Sequence, residues 1–410
     1  MEFKIEKKMK NGLGRAGIIK TAHGEIQTPA FIVVGTKATV KALTPRELSD
    51  MGVEAVLANT YHLYLEPGDK TINKAGRLNK YMNWDGPTMT DSGGFQAFSL
   101  GAAYGLKLSK FGEFREPEAG VSYSDEVSSS SDTSDYLGRL AKVDEDGVNF
   151  KSHIDGSSHY ITPEKSIEIQ HNIGADIMFA FDECTSPSAY RGYQKEAMDR
   201  THRWAERSLE YHKKNNKKSQ ALFGIIQGGR YKDLREESAK FISDLPSGNE
   251  FDGFGIGGSF SKEDIDSVVG LVCGILPENK PRHLLGIGEP IDIFGGIENG
   301  IDTFDCVSPT RVARNASLYT KNGRINILNA KYREDFTPID ESCGCYTCKN
   351  YSRSYVAHLF RAKEILANTL ASIHNVYFIV HLVKNIRRAI LDETYLEFKE
   401  EFLKNYYTKK

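Results

Sequence analysis

Short apolar runs recur between about residue 50 and residue 310, and each ends in a polar or glycine-rich cluster that an amphipathic stretch usually follows. Continuous apolar runs of this kind are typical of strands buried on both faces, as in parallel sheets. The pattern therefore predicts a series of strand–helix units. Their eight apolar runs are residues 55–58, 87–90, 148–150, 177–181, 221–226, 253–256, 283–285 and 303–304.

Eight such units match the size and strand number of a (β/α)8 barrel. We predict an α/β fold in which residues 1–315 form this TIM barrel, together with N-terminal strands and an insertion at residues 109–141. The pattern alone does not show closure of the sheet, so a doubly wound open sheet is the alternative fold.

Helix-start signals lie between the predicted strands. Thr44-Pro45-Arg46-Glu47 combines an N-cap residue, a proline in the first turn and a capping-box glutamate. Thr162 and Pro163 repeat this start, and Gly174 supplies the matching helix end. Residues 353–373 place their apolar side chains mostly on one face, which predicts an amphipathic helix.

The segment at residues 109–141 breaks the rhythm, because it is rich in serine and poor in apolar residues. Its composition predicts a flexible loop. Such a loop is either a lid over the substrate face of the barrel or a tolerated insertion without a role.

The composition is that of an ordinary soluble protein, with 40% hydrophobic and 26% charged residues. No 18 consecutive residues are apolar and the N-terminus lacks an apolar signal segment, so we expect a cytoplasmic protein without a membrane span. The net charge is −2, but residues 311–410 carry 17 Lys and Arg against 10 Asp and Glu. This basic quarter is either a docking surface for a polyanion or a solvated face.

Three of the six cysteines, Cys343, Cys345 and Cys348, fall within six residues. Clustered thiols in a cytosolic chain indicate a metal site more often than a disulfide framework. Zinc prefers four sulfur or nitrogen ligands in a tetrahedron, so three thiolates need one more ligand, usually an imidazole. The downstream candidates, which spacing does not separate, are His358, His374 and His381.

Carboxylates follow several predicted strands, at the barrel end where side chains converge on an active site. They are Asp91, Asp182 and Asp305, accompanied by the amide of Gln227. No pair of strand-end histidines joins them, which argues against a metal-dependent hydrolase. Two converging carboxylates suggest a nucleophile and a general acid/base at an acetal carbon; the alternative is that each aspartate caps the next helix.

The same strand ends predict a pocket for a guanine-like base. A carboxylate such as Asp182 can accept hydrogen bonds from the N–H groups of guanine, while an amide and backbone N–H groups can serve its acceptors. Glycine allows the backbone to approach a ring closely. The strand-end glycines are Gly93, Gly94, Gly228, Gly229, Gly257 and Gly258.

Five sequence blocks together are distinctive. They are residues 91–96 (DSGGFQ), 181–184 (FDEC), 226–229 (IQGG), 304–311 (FDCVSPTR) and the Cys-x-Cys-x-x-Cys cluster. These blocks resemble those of the tRNA-guanine transglycosylases of the bacterial type, also called queuine tRNA-ribosyltransferases. They occur in the order of that family, and the similarity runs from about Gly14 to the C-terminus except for the insertion.

The resemblance implies a pentosyltransferase that exchanges guanine 34 in the anticodons of the tRNAs for Asp, Asn, His and Tyr for a 7-deazaguanine, in queuosine biosynthesis. It implies that Asp305 is the nucleophile, which attacks ribose C1′ and leaves the RNA covalently attached, and that Asp91 is the general acid/base. The implied base-binding residues are Ser92, Gly93, Gly94, Phe95, Asp182, Gln227 and Gly258.

The resemblance also implies a homodimer in which residues 316–410 form a zinc-binding, tRNA-docking helical subdomain. One structural Zn²⁺ per subunit is then held by Cys343, Cys345, Cys348 and His374. The implied RNA-contacting residues are Gly286, Ile287, Gly288, Glu289, Pro290, Ile291, Asp292, Thr310, Arg311, Val312, Ala313 and Arg314. We further hypothesise that three basic residues on one helical face contact tRNA phosphates; they are Lys384, Arg387 and Arg388.

Two features bear on the incoming base. Cys184 matches the bacterial-type members, which favours 7-aminomethyl-7-deazaguanine (preQ1). Residues 259–262 depart from the family pattern: Ser261 is small enough to admit the larger base queuine, whereas Phe260 narrows the pocket. We expect preQ1, with queuine as the alternative.

Two other functions are weighed against this one. A non-catalytic tRNA-binding subunit of the same family is expected to lose the catalytic carboxylates, which this chain keeps. An unrelated phosphate-binding barrel enzyme leaves the cysteine cluster unexplained.

Overall fold

The computed structural model of the chain describes residues 1–96, 141–186, 189–216, 220–245, 250–258 and 265–407. Its strands are β1 (Glu2–Lys8), β2 (Arg15–Thr21), β3 (Gly24–Thr28), β4 (Ala30–Val34), β5 (Val56–Ala58), β6 (Thr88–Thr90), β7 (Ala141–Val143), β8 (Val148–Lys151), β9 (Ser158–Ile161), β10 (Ile177–Phe179), β11 (Ala221–Ile226), β12 (Gly253–Ile256), β13 (Arg282–Leu284), β14 (Thr303–Cys306), β15 (Ser317–Thr320) and β16 (Gly323–Asn326).

The α-helices of the same residues are α1 (Pro45–Asp50), α2 (Thr60–Leu65), α3 (Asp69–Lys74), α4 (Arg77–Met82), α5 (Pro163–Ile173), α6 (Arg191–Asn215), α7 (Lys232–Ser243), α8 (Gly270–Ile275), α9 (Pro290–Glu298), α10 (Ser308–Ala313), α11 (Tyr346–Asn350), α12 (Arg353–Arg361), α13 (Ile365–Leu391) and α14 (Tyr395–Tyr407). Most of the predicted insertion, residues 109–140, lies outside the described residues, so its role as a lid stays a prediction.

In the described part of the chain, eight parallel strands close into a barrel in the order β10-β11-β12-β13-β14-β4-β5-β6, and β6 pairs back with β10. Helices follow the strands on the outside; α6 comes after β10, α7 after β11 and α9 after β13. The predicted (β/α)8 barrel is therefore confirmed, and the open-sheet alternative is wrong.

One of the eight predicted barrel strands is wrong. Residues 148–150 belong to β8, which pairs antiparallel with β7 and β9 in a separate three-stranded sheet. Residues of β8 alternate between buried and exposed, as in a strand with one face toward solvent, whereas all residues of β4 are buried. The missing barrel strand is thus β4, which lies upstream of the repeating pattern.

Side chains alternate between the inside and the outside of the barrel along each strand. The inward positions form an apolar cluster of their own, which includes Ile32, Leu57, Met89, Phe179 and Phe223. Ile19 and Ile26 of the N-terminal sheet β1-β2-β3 belong to this cluster, and Arg15 of β2 forms a buried 2.7 Å ion pair with Asp302, just before β14. The N-terminal sheet therefore closes the barrel at the starts of its strands, and the strand ends remain to build a site.

The predicted helix starts are confirmed. Thr44 Oγ1 accepts the Glu47 N–H at 3.4 Å, and the Glu47 carboxylate accepts the Thr44 N–H at 2.7 Å, which is a capping box. Thr162 caps α5 through the Lys165 N–H, and Gly174 ends that helix with a φ of 79°. These local signals set where each helix begins against the barrel.

Helix α13 is the main packing element after residue 315. The single helix predicted over residues 353–373 is wrong, because Lys363 has a φ of 57° and separates α12 from α13. By length and composition alone α13 could cross a membrane, but 61% of its most apolar window is buried inside the protein. Its buried Asn375 accepts the Tyr319 N–H and donates to the Pro309 carbonyl, which joins α13 to β15 and α10. These contacts identify α13 as a core helix.

Two of the three basic residues on α13 bind other parts of the protein. Arg387 is 8% exposed and donates to carbonyl oxygens of β2 and β3 and to the carboxylate of Glu6. Lys384 donates to a backbone carbonyl that follows α1. The side chain of Arg388, by contrast, is 84% exposed. The structure therefore contradicts the phosphate-contact hypothesis for Arg387, and Lys384 is engaged within the protein.

We expect Arg387→Met to lower the free energy of unfolding by about 2 kcal/mol, because it leaves Glu6 and two carbonyl oxygens without their donor. Urea denaturation followed by circular dichroism measures the change. The matched control is Arg388→Met, whose partner Asp392 is exposed and 3.6 Å away, so its effect should stay within about 0.5 kcal/mol. Equal losses in the two variants would contradict the structural role of Arg387.

Candidate active site

Predicted site residues continue the inward-facing rows of the barrel beyond the strand ends. Asp91 stands two residues after the inward-facing Met89 of β6, so the alternation of side chains directs it inward. Gln227 directly follows β11, and the same alternation of side chains directs it inward. Asp305 lies in register with the inward-facing Ile32 of β4. The barrel thus brings together residues that are far apart in sequence.

The Asp91 carboxylate is fixed by donors from the start of α2 and from its own loop. Its Oδ1 accepts the Thr60 N–H at 2.7 Å. Its Oδ2 accepts hydrogen bonds from the side-chain amides of Asn59 and Gln96, the latter at 2.8 Å. Because Thr60 begins α2, its N–H has no partner within the helix and is available to the carboxylate. These contacts fix the orientation of the carboxylate.

The Asp305 carboxylate is held by different partners. Its Oδ1 accepts the Gly286 N–H at 2.8 Å and lies 3.0 Å from His283 Nε2. Gly286 has a φ of 72°, a backbone conformation that favours glycine. The side chain of Asp305 remains 12% exposed, so it is reachable from the open end of the barrel.

Asp91 and Asp305 interact with each other electrostatically. Burial is the main cause that raises the pKa of Asp91 to about 6, and the negative charge of Asp305 adds to this effect. The hydrogen bonds from Asn59, Thr60 and Gln96 act in the opposite direction. The two carboxylates therefore share one site, and Asp91 can give or take a proton near neutral pH.

A third carboxylate, Asp182, forms a buried cluster with two of the predicted base-binding residues. It accepts hydrogen bonds from Ser92 Oγ and Gln227 Nε2, both at 2.7 Å. The cluster forms because β6, β10 and β11 are neighbours in the barrel, so the residues that follow them meet. A carboxylate and an amide are thus oriented side by side, as recognition of a base edge requires.

Glycines allow the backbone to pack closely around this cluster. A Cβ atom on Gly94 would lie 2.5 Å from the Asp182 carbonyl oxygen. Gly258 has a φ of 96°, and a Cβ there would lie 2.5 Å from Nη2 of the buried Arg235. Phe95, directly after Gly94, is partly buried. The backbone at Gly94 therefore lies close to Asp182, where a larger residue would not fit.

The predicted RNA-contacting residues 286–292 run from the connection after β13 into the first turn of α9, and residues 310–314 include the end of α10. Ile291 and Arg311 are exposed there. Asp292 of α9 and Thr310 of α10 are buried, so their side chains lie inside the protein and do not face solvent. The residues of the two segments therefore do not all present side chains to solvent, and their contact with RNA stays a prediction.

Among the described residues, Cys343, Cys345, Cys348 and His374 bring their ligand atoms within 4.8 Å of one another. The distances from His374 Nδ1 to the three sulfurs are 3.7, 3.5 and 3.3 Å. A zinc tetrahedron has an N–S edge of about 3.6 Å, so the residues fit such an ion. His374 Nε2 donates to the Tyr319 carbonyl at 2.6 Å, which leaves Nδ1 as the ligand atom. The structure thus selects His374 among the three candidate histidines.

His283 is a site residue that the sequence analysis missed. It is fully buried, and its ring lies between Thr303 Oγ1, at 2.8 Å from Nδ1, and Asp305, at 3.0 Å from Nε2. The available signal was a histidine within a predicted barrel strand, followed by Leu284 and Leu285. Its register partner on the next strand, Thr303, precedes Asp305 by two residues, so all three side chains share one face.

The family model for queuine tRNA-ribosyltransferases matches residues 10–128 and 108–408. The chain belongs to this family. The two matched segments overlap at residues 108–128, where the predicted insertion begins.

Curated relatives named queuine tRNA-ribosyltransferase align with nearly the whole chain. The protein from Caldanaerobacter subterraneus subsp. tengcongensis is 48% identical over 410 residues, which cover 99% of this chain and 98% of the relative. The protein from Thermoanaerobacter pseudethanolicus is 47% identical over 409 residues, with the same coverage. That from Fusobacterium nucleatum subsp. nucleatum is 45% identical over 407 residues, covering 98% of each chain. The predicted family resemblance is therefore confirmed.

Proposed function

We propose that the chain is a tRNA-guanine transglycosylase that exchanges guanine 34 of tRNAs with GUN anticodons (Asp, Asn, His and Tyr) for a 7-deazaguanine. This pentosyl transfer belongs to queuosine biosynthesis and proceeds through a covalent bond between Asp305 and ribose C1′. The observation that carries the proposal is the pair of carboxylates in one site, differently held and electrostatically coupled. Membership in the queuine tRNA-ribosyltransferase family supports it.

The two carboxylates account for both halves of the exchange. In the first displacement an Asp305 oxygen forms a bond to C1′, the C1′–N9 bond breaks and its electron pair leaves with guanine, which takes a proton from Asp91. In the second, the incoming base gives its N9 proton to Asp91 and its nitrogen displaces the Asp305 oxygen from C1′. Protons and electrons balance over the cycle, and two inversions retain the configuration at C1′.

The cluster around Asp182 is the proposed base site. Its carboxylate accepts the N–H groups of the base, Gln227 supplies an amide, and Phe95 stacks on the ring. Ser92, which donates to Asp182 at 2.7 Å, fixes the carboxylate. Gly93, Gly94 and Gly258 allow the backbone to approach the base.

We propose that the cluster of three cysteines and His374 holds one structural Zn²⁺ per subunit. Three thiolates and an imidazole are a typical zinc ligand set, and four protein ligands leave no coordination position for a substrate. The ion would tie residues 343–348, which lead into α11, to α13, and so stabilise residues 316–410 as a tRNA-docking subdomain beside a barrel of residues 1–315. The family resemblance further supports a cytoplasmic homodimer.

Incorporation of radiolabelled guanine into an unmodified tRNA with a GUN anticodon tests the proposed function. We expect incorporation at position 34 and competition by free preQ1. Residues 259–262, on which the choice between preQ1 and queuine depends, lie outside the described residues. Inhibition by queuine alone would make queuine the incoming base, and absence of any exchange would contradict the proposed function.

Because the first displacement needs protonated Asp91, we expect the rate of adduct formation to fall about tenfold per pH unit above the Asp91 pKa of about 6. Release of the adduct by an incoming base needs ionised Asp91, so its rate should fall as the pH drops below that value. Rapid quenching with detergent between about pH 5 and pH 9 measures both rates. Opposite slopes are expected in the wild-type enzyme and flat profiles in Asp91→Asn; parallel slopes in the wild type would contradict the role of Asp91.

A further inference from the structure

A chain of hydrogen bonds ends on Oδ1 of the proposed nucleophile, Asp305. Asp305 Oδ1 lies 3.0 Å from His283 Nε2, and His283 Nδ1 lies 2.8 Å from Thr303 Oγ1. An ionised carboxylate only accepts hydrogen bonds, so Nε2 carries the hydrogen. In a neutral ring Nδ1 then accepts the hydroxyl hydrogen of Thr303. The chain therefore runs from Thr303 through His283 to Oδ1, where the Gly286 N–H is the second donor at 2.8 Å.

We propose that His283 is a positioning residue of the exchange reaction: it donates a hydrogen bond to Asp305 Oδ1 and so holds the nucleophilic carboxylate in place for attack on ribose C1′. It also stabilises the carboxylate that departs in the second displacement. This inference rests on the proposed function and names a residue that acts through Asp305 without touching the substrate.

The surroundings of His283 suit this task. The residue is fully buried, and its ring packs against Phe179 with 5.2 Å between ring centroids. Its strand, β13, is paired on both sides, with β12 and β14. The imidazole therefore cannot follow the carboxylate, and its N–H is oriented before the reaction begins, which is the condition for effective electrostatic stabilisation.

The hydrogen bonds from Thr303 through His283 affect formation and release of the covalent adduct differently. When Asp305 forms its bond to C1′, its charged carboxylate becomes a neutral ester, so the oxygen that accepts from His283 loses most of its negative charge. Hydrogen bonds to a charged acceptor are roughly twice as strong as those to a neutral one. The donor from His283 therefore favours the free carboxylate, assists its release from C1′ and limits accumulation of the covalent adduct. A side chain that only fills space would not shift this balance.

The test compares His283→Met, which removes the donor at similar volume, with His283→Gln, which keeps an N–H of similar reach. Detergent-stable adduct is formed with tRNA and then chased with guanine. We expect His283→Met to slow the decay of the adduct by about tenfold or more and to raise its steady-state fraction at fixed guanine, with the tRNA Kd within about twofold of wild type. His283→Gln should restore decay to within about threefold of wild type.

Equal decay in the wild type and His283→Met, or equal defects in the Met and Gln variants, would overturn the role of His283. If His283→Met does not fold, Thr303→Val tests the same chain, because it removes the hydroxyl that fixes the ring tautomer. We expect it to slow decay by about threefold, and unchanged decay would overturn the proposal. Absence of adduct in the wild type itself would contradict the proposed function, so the two failures are distinguishable.

Discussion

Asp305→Asn is expected to abolish the exchange of guanine, by about 10⁴-fold or more, while the protein still folds and binds tRNA. The amide has nearly the shape of the carboxylate and can still accept the Gly286 N–H through its oxygen. It lacks the negative charge of the carboxylate, and its neutral oxygen is a much weaker nucleophile toward C1′. Detergent gels of the variant mixed with tRNA should therefore show no covalent adduct, and filter binding should show tRNA affinity within about threefold of wild type.

The matched control for this prediction is Asp50→Asn, an aspartate at the end of α1 whose side chain is 70% exposed. It should keep both adduct formation and exchange. A detergent-resistant adduct in Asp305→Asn would refute the nucleophile assignment, and Asp91 would become the carboxylate to examine next. Loss of tRNA binding together with loss of the adduct would instead show that Asp305 acts in substrate binding.

The barrel could be predicted from sequence because its strands are buried on both faces and appear as continuous apolar runs. One barrel strand was predicted at residues 148–150 instead of at β4, and this error has a physical cause. Val148 and Phe150 are buried but alternate with exposed residues, which marks a strand with a single buried face, and the run at 148–150 is too short to reveal this. The five buried residues of β4 carry the stronger signal, but they precede the first strand–helix repeat.

The carboxylates of the site could also be predicted, because barrel geometry places any residue at a strand end near the axis. Their hydrogen-bond partners could not. His283 reaches Asp305 only through the register of β13 with β14, and Asn59 reaches Asp91 across two neighbouring strands. Arg387 shows the converse limit, since a helical pattern gives its neighbours on α13 but not the β-strand carbonyls that bind its charge.

The metal ligands likewise could be predicted only in part from the local sequence. The three cysteines are adjacent in sequence, so their clustering needed no structure. The histidine depends on how α13 packs, and Tyr319 of β15 decides it by accepting the hydrogen of His374 Nε2. Thr347 of α11, between two of the cysteines, donates to the Leu370 carbonyl of α13, so α11 and α13 are joined by this hydrogen bond as well as by the shared ligand site.

Loss of the metal ligand His374 is expected to have a large effect on stability. We expect His374→Ala to contain no zinc by elemental analysis, where the wild type contains one per chain, and to lose about 5 kcal/mol or more of unfolding free energy. Zinc binding contributes about 10–16 kcal/mol to the folding of small zinc-binding peptides. We expect a smaller loss here because α13 is also held by its packing against β4 and α10. Exchange should fall as well, because residues 343–348 and α13 no longer hold the proposed tRNA-docking surface together.

The two other candidate histidines provide the controls. His358 is exposed on α12, and His381 stacks on Tyr377 with 3.7 Å between ring centroids. His358→Ala and His381→Gln should each keep one zinc per chain, because neither ring belongs to the ligand cluster. A full zinc content in His374→Ala, or its loss in His358→Ala, would contradict the assigned ligand set. Zinc loss in His374→Ala with unchanged stability and exchange would instead show that the site is not structural, since a structural ion contributes its binding free energy to folding.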